Sequence, residues 1–451
     1  MAGDKVVQKS IDELFSFIQK SPTAFHAIDT IRGMLDEQGF EELMEGKRWD
    51  VFPGGKYYVT RNGSSIIAFK IGNDLEQYCF RIVASHSDSP TFKIKENAEI
   101  AVNKRYTKLN TEGYGGMICS SWFDRPLSLA GRVVIKEGQK YVTKLVNLDR
   151  DLLMIPNVAI HMNRTVNEGF AYNKQIDLLP LISGKAYEQG MLRELIAKEL
   201  SVLPESIYGM DLFLYNRTAP CKWGTEEEFI SCPQLDDLEC AYTSLQGFLN
   251  GENDKSVQVY ACFDNEEVGS LTKQGAGSTF LCDVLTRINR LLGKDEEDYL
   301  CALASSFMLS CDNAHAVHPN HPEKTDMDNC VYMNEGIVIK SHAGQKYTTD
   351  ALSGAVFKGI CEASGVPVQY FVNRSDMAGG STLGNIAMSQ VSVHCLDIGL
   401  AQLAMHSCYE TAGVKDVDYM IRAVTGFYNT EFCGKRDDSL EVRQNDSVAE
   451  I

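Results

Sequence analysis

The sequence predicts an α/β fold: a domain built on a central mixed sheet, residues 1–92 and 233–451, interrupted by an inserted β-rich domain at 93–232. Three observations predict it. Apolar runs of strand length recur along the chain, as buried strands require. Four of those runs lead into clustered carboxylates, a histidine or an Arg-Ser-Asp segment. Between Phe92 and Cys232 the texture changes to shorter alternating runs without such ends.

Taken in order, Ser10 and Glu13 form a capping-box pattern, and Ile11, Leu14, Phe15 and Ile18 follow at helical spacing up to Ser21-Pro22. A helix beginning at Ser10 is expected. The stripe Phe25, Ile28, Ile31 and Leu35, with Gly39 as terminator, predicts a second. The strand runs are Ile66 to Ile71, Phe80 to Ala84, Val257 to Phe263, Phe307 to Cys311, Val366 to Val372 and Val391 to Leu396. Ligands in open α/β sheets bind beyond the carboxyl ends of the strands. Four runs lead into Ser85-His86-Ser87-Asp88, Asp264-Asn265-Glu266-Glu267, Asp312 and Arg374-Ser375-Asp376, and so point at one site. Inside the insertion, Gly131 to Lys136 and Tyr141 to Val146 alternate as half-buried strands do. The polar tail from Arg436 is expected to be disordered.

At 451 residues the chain has room for about two or three domains, or one large core with an insertion. Lys plus Arg number 43 against 61 Asp plus Glu, a net charge of -18 that repels a polyphosphate backbone and excludes nucleic acid as a partner. No apolar run is long enough to span a bilayer. Met1 to Gln8 is polar and lacks the apolar core of a signal peptide, so a cytoplasmic location is expected. The 14 cysteines contain no C-x-x-C pair and read as buried reduced thiols.

In so acidic a chain, clustered carboxylates behind apolar strands need a cation to offset their repulsion. In Asp264-Asn265-Glu266-Glu267, one glutamate can ligate a metal while its neighbour stays free as a general base. His86-Ser87-Asp88 is spaced so that Asp88 can accept a hydrogen bond from the far ring nitrogen of a metal-bound His86. Asp236, before an expected helix at Leu238 to Leu249, can bridge two metals with its two oxygens. Asp312 and His406 supply a further carboxylate and a second imidazole. His315, His318 and His321 fall at threes, but Pro319 and Pro322 break the helix that spacing would need, so only His315 is kept as a site candidate. Gly379 to Gly384 lacks the lysine of a phosphate loop and reads as a tight turn near the site.

Ser21-Pro22-Thr23-Ala24-Phe25-His26-Ala27, Ser85-His86-Ser87-Asp88-Ser89-Pro90, Trp122 to Gly131, Phe263 to Ser270 and Ala314 to Asn320 closely resemble the aspartyl aminopeptidase family, in order and from about Ile11 to Phe432. The resemblance implies two zinc ions per subunit, with Mn2+ or Co2+ as possible substitutes. It also implies peptide substrates losing an N-terminal Asp or Glu, a dimerisation role for the insertion, and a homododecamer built from dimers. One zinc is then held by His86, Asp236 and Asp312, the other by Asp236, Glu267 and His406, with Glu266 as base. His161 reaches the substrate in a neighbouring subunit, and His315, Lys340 and Tyr347 contact it within the chain. Lys340 is the expected anchor of the acidic side chain. Departures from the family pattern are Lys346, Ser375 and Asp237, which touch substrate preference rather than the metal site. Three alternatives stay open: neutral-residue preference, a binuclear deacylase or dipeptidase, and a non-catalytic scaffold.

Overall fold

The computed structural model describes residues 2–436 and 439–444. Its centre is a nine-stranded sheet in the order Glu41–Glu42, Lys56–Arg61, Ser65–Ile71, Ser256–Phe263, Cys79–His86, Phe307–Cys311, His394–Gly399, Ile337–Lys340 and Val368–Phe371. The four strands from Ser256–Phe263 to His394–Gly399 are parallel, so their carboxyl ends share one edge. The Ser65–Ile71 strand on one side and Ile337–Lys340 on the other run antiparallel to them, which makes the sheet mixed.

Both faces of this sheet are buried, which explains why its strands read as unbroken apolar runs. Successive side chains point to opposite faces. Tyr260, Cys262, Leu309 and Cys311 pack with Leu14, Ile31, Leu245 and Val424 from the helices Ala2–Lys20, Ala24–Glu37, Leu235–Asn250 and Val414–Asn429. Val259, Phe263, Ile82 and Met308 face the other way, against Phe280, Val284 and Ile288 of the Phe280–Leu291 helix.

The insertion contributes a six-stranded antiparallel sheet in the order Lys140–Asn147, Leu127–Glu137, Ile207–Asn216, Thr91–Val102, Tyr106–Tyr114 and Leu181–Ser183. It has its own core, in which Phe92, Leu129 and Leu212 meet Leu192 and Ile196 of the Met191–Leu200 helix. Its sheet ends at Asn216. Cys221–Trp223 and Phe229–Cys232, which the sequence boundary assigns to the insertion, belong instead to a five-stranded sheet with Glu410–Gly413, Ala401–Leu403 and Ala314–His315.

Three expectations change. The first helix starts at Ala2 rather than Ser10, whose hydroxyl donates back to the Val6 carbonyl at 3.2 Å instead of capping. The run at Val366 to Val372 narrows to Val368–Phe371 and runs opposite to the central four, so Arg374-Ser375-Asp376 does not join their carboxyl edge. The tail is not wholly irregular: Ser439–Gln444 pairs with Thr430–Arg436, because Phe432 and Leu440 pack on the main core. Asp437, Asp438, Asn445 and Asp446 lie outside the described residues.

Candidate metal centre

The parallel edge brings the sequence candidates together. In register, Phe263 stands beside His86 and Ser310 beside Ala84, so the residues that follow each strand converge. His86 ends its strand and Asp312 follows the next. Glu266 and Glu267 lie in a single 3-10 turn after Phe263. Asp236 and Asp237 have non-helical backbone angles at the head of the Leu235–Asn250 helix, whose regular part begins where the sequence expected it. His406 has φ 66, a left-handed conformation that turns its ring toward the edge. Gly399 permits a close approach here: a Cβ on it would stand 1.9 Å from the Asp312 carbonyl oxygen.

Two groups of ligand atoms result, each with all its atoms within 4.8 Å of one another: His86, Asp236, Asp237 and Asp312, and then Asp236, Glu267 and His406. Asp236 belongs to both. Its Oδ1 lies 3.6 Å from His86 Nε2 and its Oδ2 3.4 Å from His406 Nε2, while Glu267 Oε2 is 3.5 Å from that same His406 nitrogen. Donors bound at about 2.0–2.2 Å around a tetrahedral zinc stand roughly 3.3–3.6 Å apart, so these spacings suit a shared ion. The donor chemistry agrees. Asp236 Oδ1, Asp237 Oδ1 and Glu267 Oε1 are buried and have no hydrogen-bond partner among the described residues.

Both imidazoles are oriented by main-chain carbonyls. His86 Nδ1 is 3.0 Å from the Asp88 carbonyl oxygen and His406 Nδ1 2.6 Å from that of Gly116, so each Nδ1 carries the proton and each Nε2 presents its lone pair to the centre. This refines the expected role of Asp88, whose carboxylate stands 3.4 Å from His86 Nδ1. That carboxylate mainly accepts the backbone N–H of Glu266 at 3.1 Å, that of Glu267 at 3.2 Å and the Tyr114 hydroxyl at 2.6 Å.

Sequence reasoning missed three parts. Glu410, 1 % exposed, accepts the backbone N–H of Asp236 at 3.0 Å and of His406 at 2.7 Å, clamping one ligand from each group. Tyr114 and Gly116 reach in from the insertion. Asp237 accepts the His86 backbone N–H at 3.0 Å. Glu410, Tyr114 and Asp237 signal themselves only as polar residues, which is not specific to a site, and Gly116, acting through its carbonyl, carries no side-chain signal at all.

Electrostatics follow from crowding. Burial, reinforced by Asp312, Asp88 and Asp236 against the pull of His86, raises the Glu266 carboxyl to about 8. Burial and Asp236 push Glu267 up as well. Asp236 is buried as well, yet the adjacent His406 and His86 hold its carboxyl below the usual range. Such a set ionises together only around a cation.

The substrate candidates are placed less uniformly. Lys340 is 2 % exposed and donates to the carbonyls of Asp312 at 2.7 Å and Asn313 at 3.3 Å, with its ammonium 5.3 Å from the centre of the Tyr347 ring. It lies 3.7 Å from Asp312 Oδ1. Tyr347 is buried. His315 is exposed, its ring edge-on to Phe371, in a cleft that also takes in Gly379 and Gly380; the segment expected as a tight turn is irregular up to Thr382 and then enters the Leu383–Ala387 helix. His161 is exposed in a turn of the insertion, outside both ligand groups.

The family model described as aminopeptidase I zinc metalloprotease (M18) matches residues 17–428. The "Probable M18 family aminopeptidase 2" of Clostridium novyi is 48% identical over 428 residues, 93% of this chain and 99% of the relative. A protein of that name from Pseudomonas aeruginosa is 39% identical over 422 residues, 92% of this chain and 97% of the relative. Among solved structures, a chain of the Ape4 and Nbr1 complex is similar with a TM-score of 0.90 at 35% identity, covering 94% of this chain and 86% of that one. The S. cerevesiae mApe1 dodecamer gives 0.82 at 26% identity, covering 95% and 97%.

Proposed function

The chain belongs to the M18 family of zinc aminopeptidases, and from that premise we propose that its two ligand groups hold a pair of zinc ions used to remove the N-terminal residue of peptides. The observation that carries this reading is Asp236, whose two oxygens face one imidazole each. His86 and Asp312 complete one side; Glu267 and His406 complete the other.

When bound, the ions supply Lewis acidity and bring the pKa of a water down toward about 7. The chain supplies the rest. Glu266, in the same turn as Glu267 but in neither ligand group, accepts the proton of the attacking water and returns it to the leaving amine. Its backbone N–H is fixed by Asp88, which holds the carboxylate in place between turnovers. His161 of a neighbouring subunit is assigned the stabilisation of the developing oxyanion. Assembly into a dodecamer built from dimers belongs to the same proposal, supported by the dodecameric state of a structural relative. Mn2+ or Co2+ should substitute for zinc, because the set is rich in oxygen donors.

For first-residue preference two readings compete. The resemblance assigns Lys340 to an acidic side chain, with His315 and Tyr347 beside it. The burial of Lys340 and its two backbone acceptors favour a neutral preference instead, with the ammonium steadying Asp312. Cleavage of Asp, Glu, Leu, Ala and Lys chromogenic substrates, with and without a chelator, separates them. Chelator-resistant activity would sink the metal mechanism. Glu266→Gln should retain metal and lose at least about a hundredfold in kcat; an unchanged rate reassigns the base.

A further inference from the structure

His161 rides on an arm with little core of its own. Ile155 is the last buried residue before it, and Val158, Ile160 and Met162, on either side of His161, are all exposed. The turn is closed by its own backbone: the N–H groups of Met162 and Asn163 both donate to the Ala159 carbonyl, at 2.8 and 3.2 Å. The His161 side chain makes no hydrogen bond or ion pair among the described residues, so nothing at the ring itself decides where it points. Three large apolar side chains left in solvent around one imidazole describe an arm that meets another chain.

What fixes the arm is the segment Trp122-Phe123-Asp124-Arg125, which contributes no atom to either ligand group. Asp124 takes φ 57, a left-handed conformation that Asp adopts more readily than most residues. Its Oδ1 accepts the backbone N–H of Asn157 at 2.9 Å, and its Oδ2 accepts the Asn157 side-chain Nδ2 at 2.8 Å. The Asp124 N–H donates in turn to the Ile155 carbonyl at 3.0 Å. Phe123 pairs with Ile155 in a parallel bridge, and its ring centre stands 5.0 Å from that of Tyr172, itself 5.2 Å from Phe170. Residues 123 and 124 thus hold both ends of the arm, one at 155–157 and the other at 170–172. Asp124 and Asn157 are exposed, so their two hydrogen bonds add little to folding stability; what they set is the chain direction just before His161.

We propose that Asp124 is a positioning residue for the reaction: gripping Asn157 at two points, it aims the His161 arm into the centre of the neighbouring subunit. The inference rests on the cross-subunit role assigned to His161 and deepens it by naming what holds that residue in place. A reacting group misplaced by about 1 Å can cost about a hundredfold in rate, so a grip worth little to the fold is worth much to turnover.

The test exchanges the two partners. Asn157→Asp sets a second carboxylate against Asp124 and removes the side-chain hydrogen bond; adding Asp124→Asn restores a donor and an acceptor of the same shape. On the zinc-loaded protein, with the fastest-cleaved chromogenic aminoacyl substrate, Asn157→Asp should lower kcat by about tenfold with KM little changed. The double variant should return to within about threefold of wild type. In a His161→Ala background, Asn157→Asp should cost nothing further. Light scattering checks that each variant keeps the wild-type assembly. A wild-type kcat in Asn157→Asp beside a slow His161→Ala overturns the proposal. So does a failure of the exchange to restore the rate, an equal loss with and without His161, or a loss traced to broken assembly, each of which makes the contact merely structural. Full activity in His161→Ala is a different failure: it removes the cross-subunit role of His161, and the proposal with it.

Discussion

The two ligand groups share Asp236 yet are built differently. His86, Asp236, Asp237 and Asp312 are all buried, and two of them stand at or directly after the ends of neighbouring parallel strands. Glu267 and His406 are partly exposed and sit on irregular backbone, a 3-10 turn and a left-handed residue. Two members of the first group, His86 and Asp312, take their geometry from the sheet, while Asp236 and Asp237 sit at the irregular head of a helix. The second needs other residues to hold it: Glu410, Asp88, and Tyr114 and Gly116 from the insertion. The difference teaches that one half of the centre is rigid by topology and the other by hydrogen bonds, so the second half should lose its metal first.

The strongest break of this asymmetry is Asp236→Asn, which weakens both groups at once. Bound zinc per chain, measured by mass spectrometry of inorganic ions, should fall from two toward none, and kcat by more than about a hundredfold. Retention of one tight ion would show that the first group stands without its shared ligand. Next in size, Glu410→Gln should sharpen the contrast. It replaces one of two acceptor oxygens, Oε1 for the His406 N–H or Oε2 for the Asp236 N–H, and both residues belong to the second group, so affinity there should drop by about 10–100-fold, with the first less affected. Equal weakening of both groups in a calorimetric titration would erase the distinction.

A pH scan of metal-depleted protein gives a smaller effect. Burial raises Glu266 from 4.5 to about 8 and Asp264 from 3.8 to about 7. A carboxyl raised on folding stabilises most where both states keep the proton, and that contribution is lost as pH climbs through the folded value. The Tm of the metal-free protein should therefore fall between about pH 4 and pH 8, and added zinc should flatten the slope. A Tm that rises across that window contradicts the crowding of carboxylates. Smallest is Tyr114→Phe, which removes one of three donors to Asp88 and should cost about 0.5–1.5 kcal/mol. A several-fold loss in kcat with KM unchanged would show that the loss acts on the Glu266 turn.

The same asymmetry marks what the sequence could reveal. His86, Glu266, Glu267 and Asp312 stand out because each follows an apolar run, and a charge directly after a buried strand is conspicuous on its own. Asp236 and His406 needed the rest of the set to make sense of them. Glu410, Tyr114 and Gly116 stayed hidden because what each touches, the Asp236 backbone N–H, the Asp88 carboxylate and the His406 ring respectively, lies far away in the chain, a relation created only by packing. The direction of Val368–Phe371 was hidden for a similar reason: an apolar run announces burial but not orientation. Lys340 shows the converse, a residue type that suggested a ligand while its buried place suggests support.

Each histidine of the proposed centre takes its bearing from a peptide carbonyl, Asp88 for one and Gly116 for the other. A main-chain oxygen is present whatever side chain the gene encodes. The tautomer needed at the centre is thus insulated from point mutation at those two positions, and Asp88→Asn should leave His86 correctly presented while loosening the 266–267 turn. Drift can alter how the Glu266 turn is held far more readily than how the imidazoles are aimed.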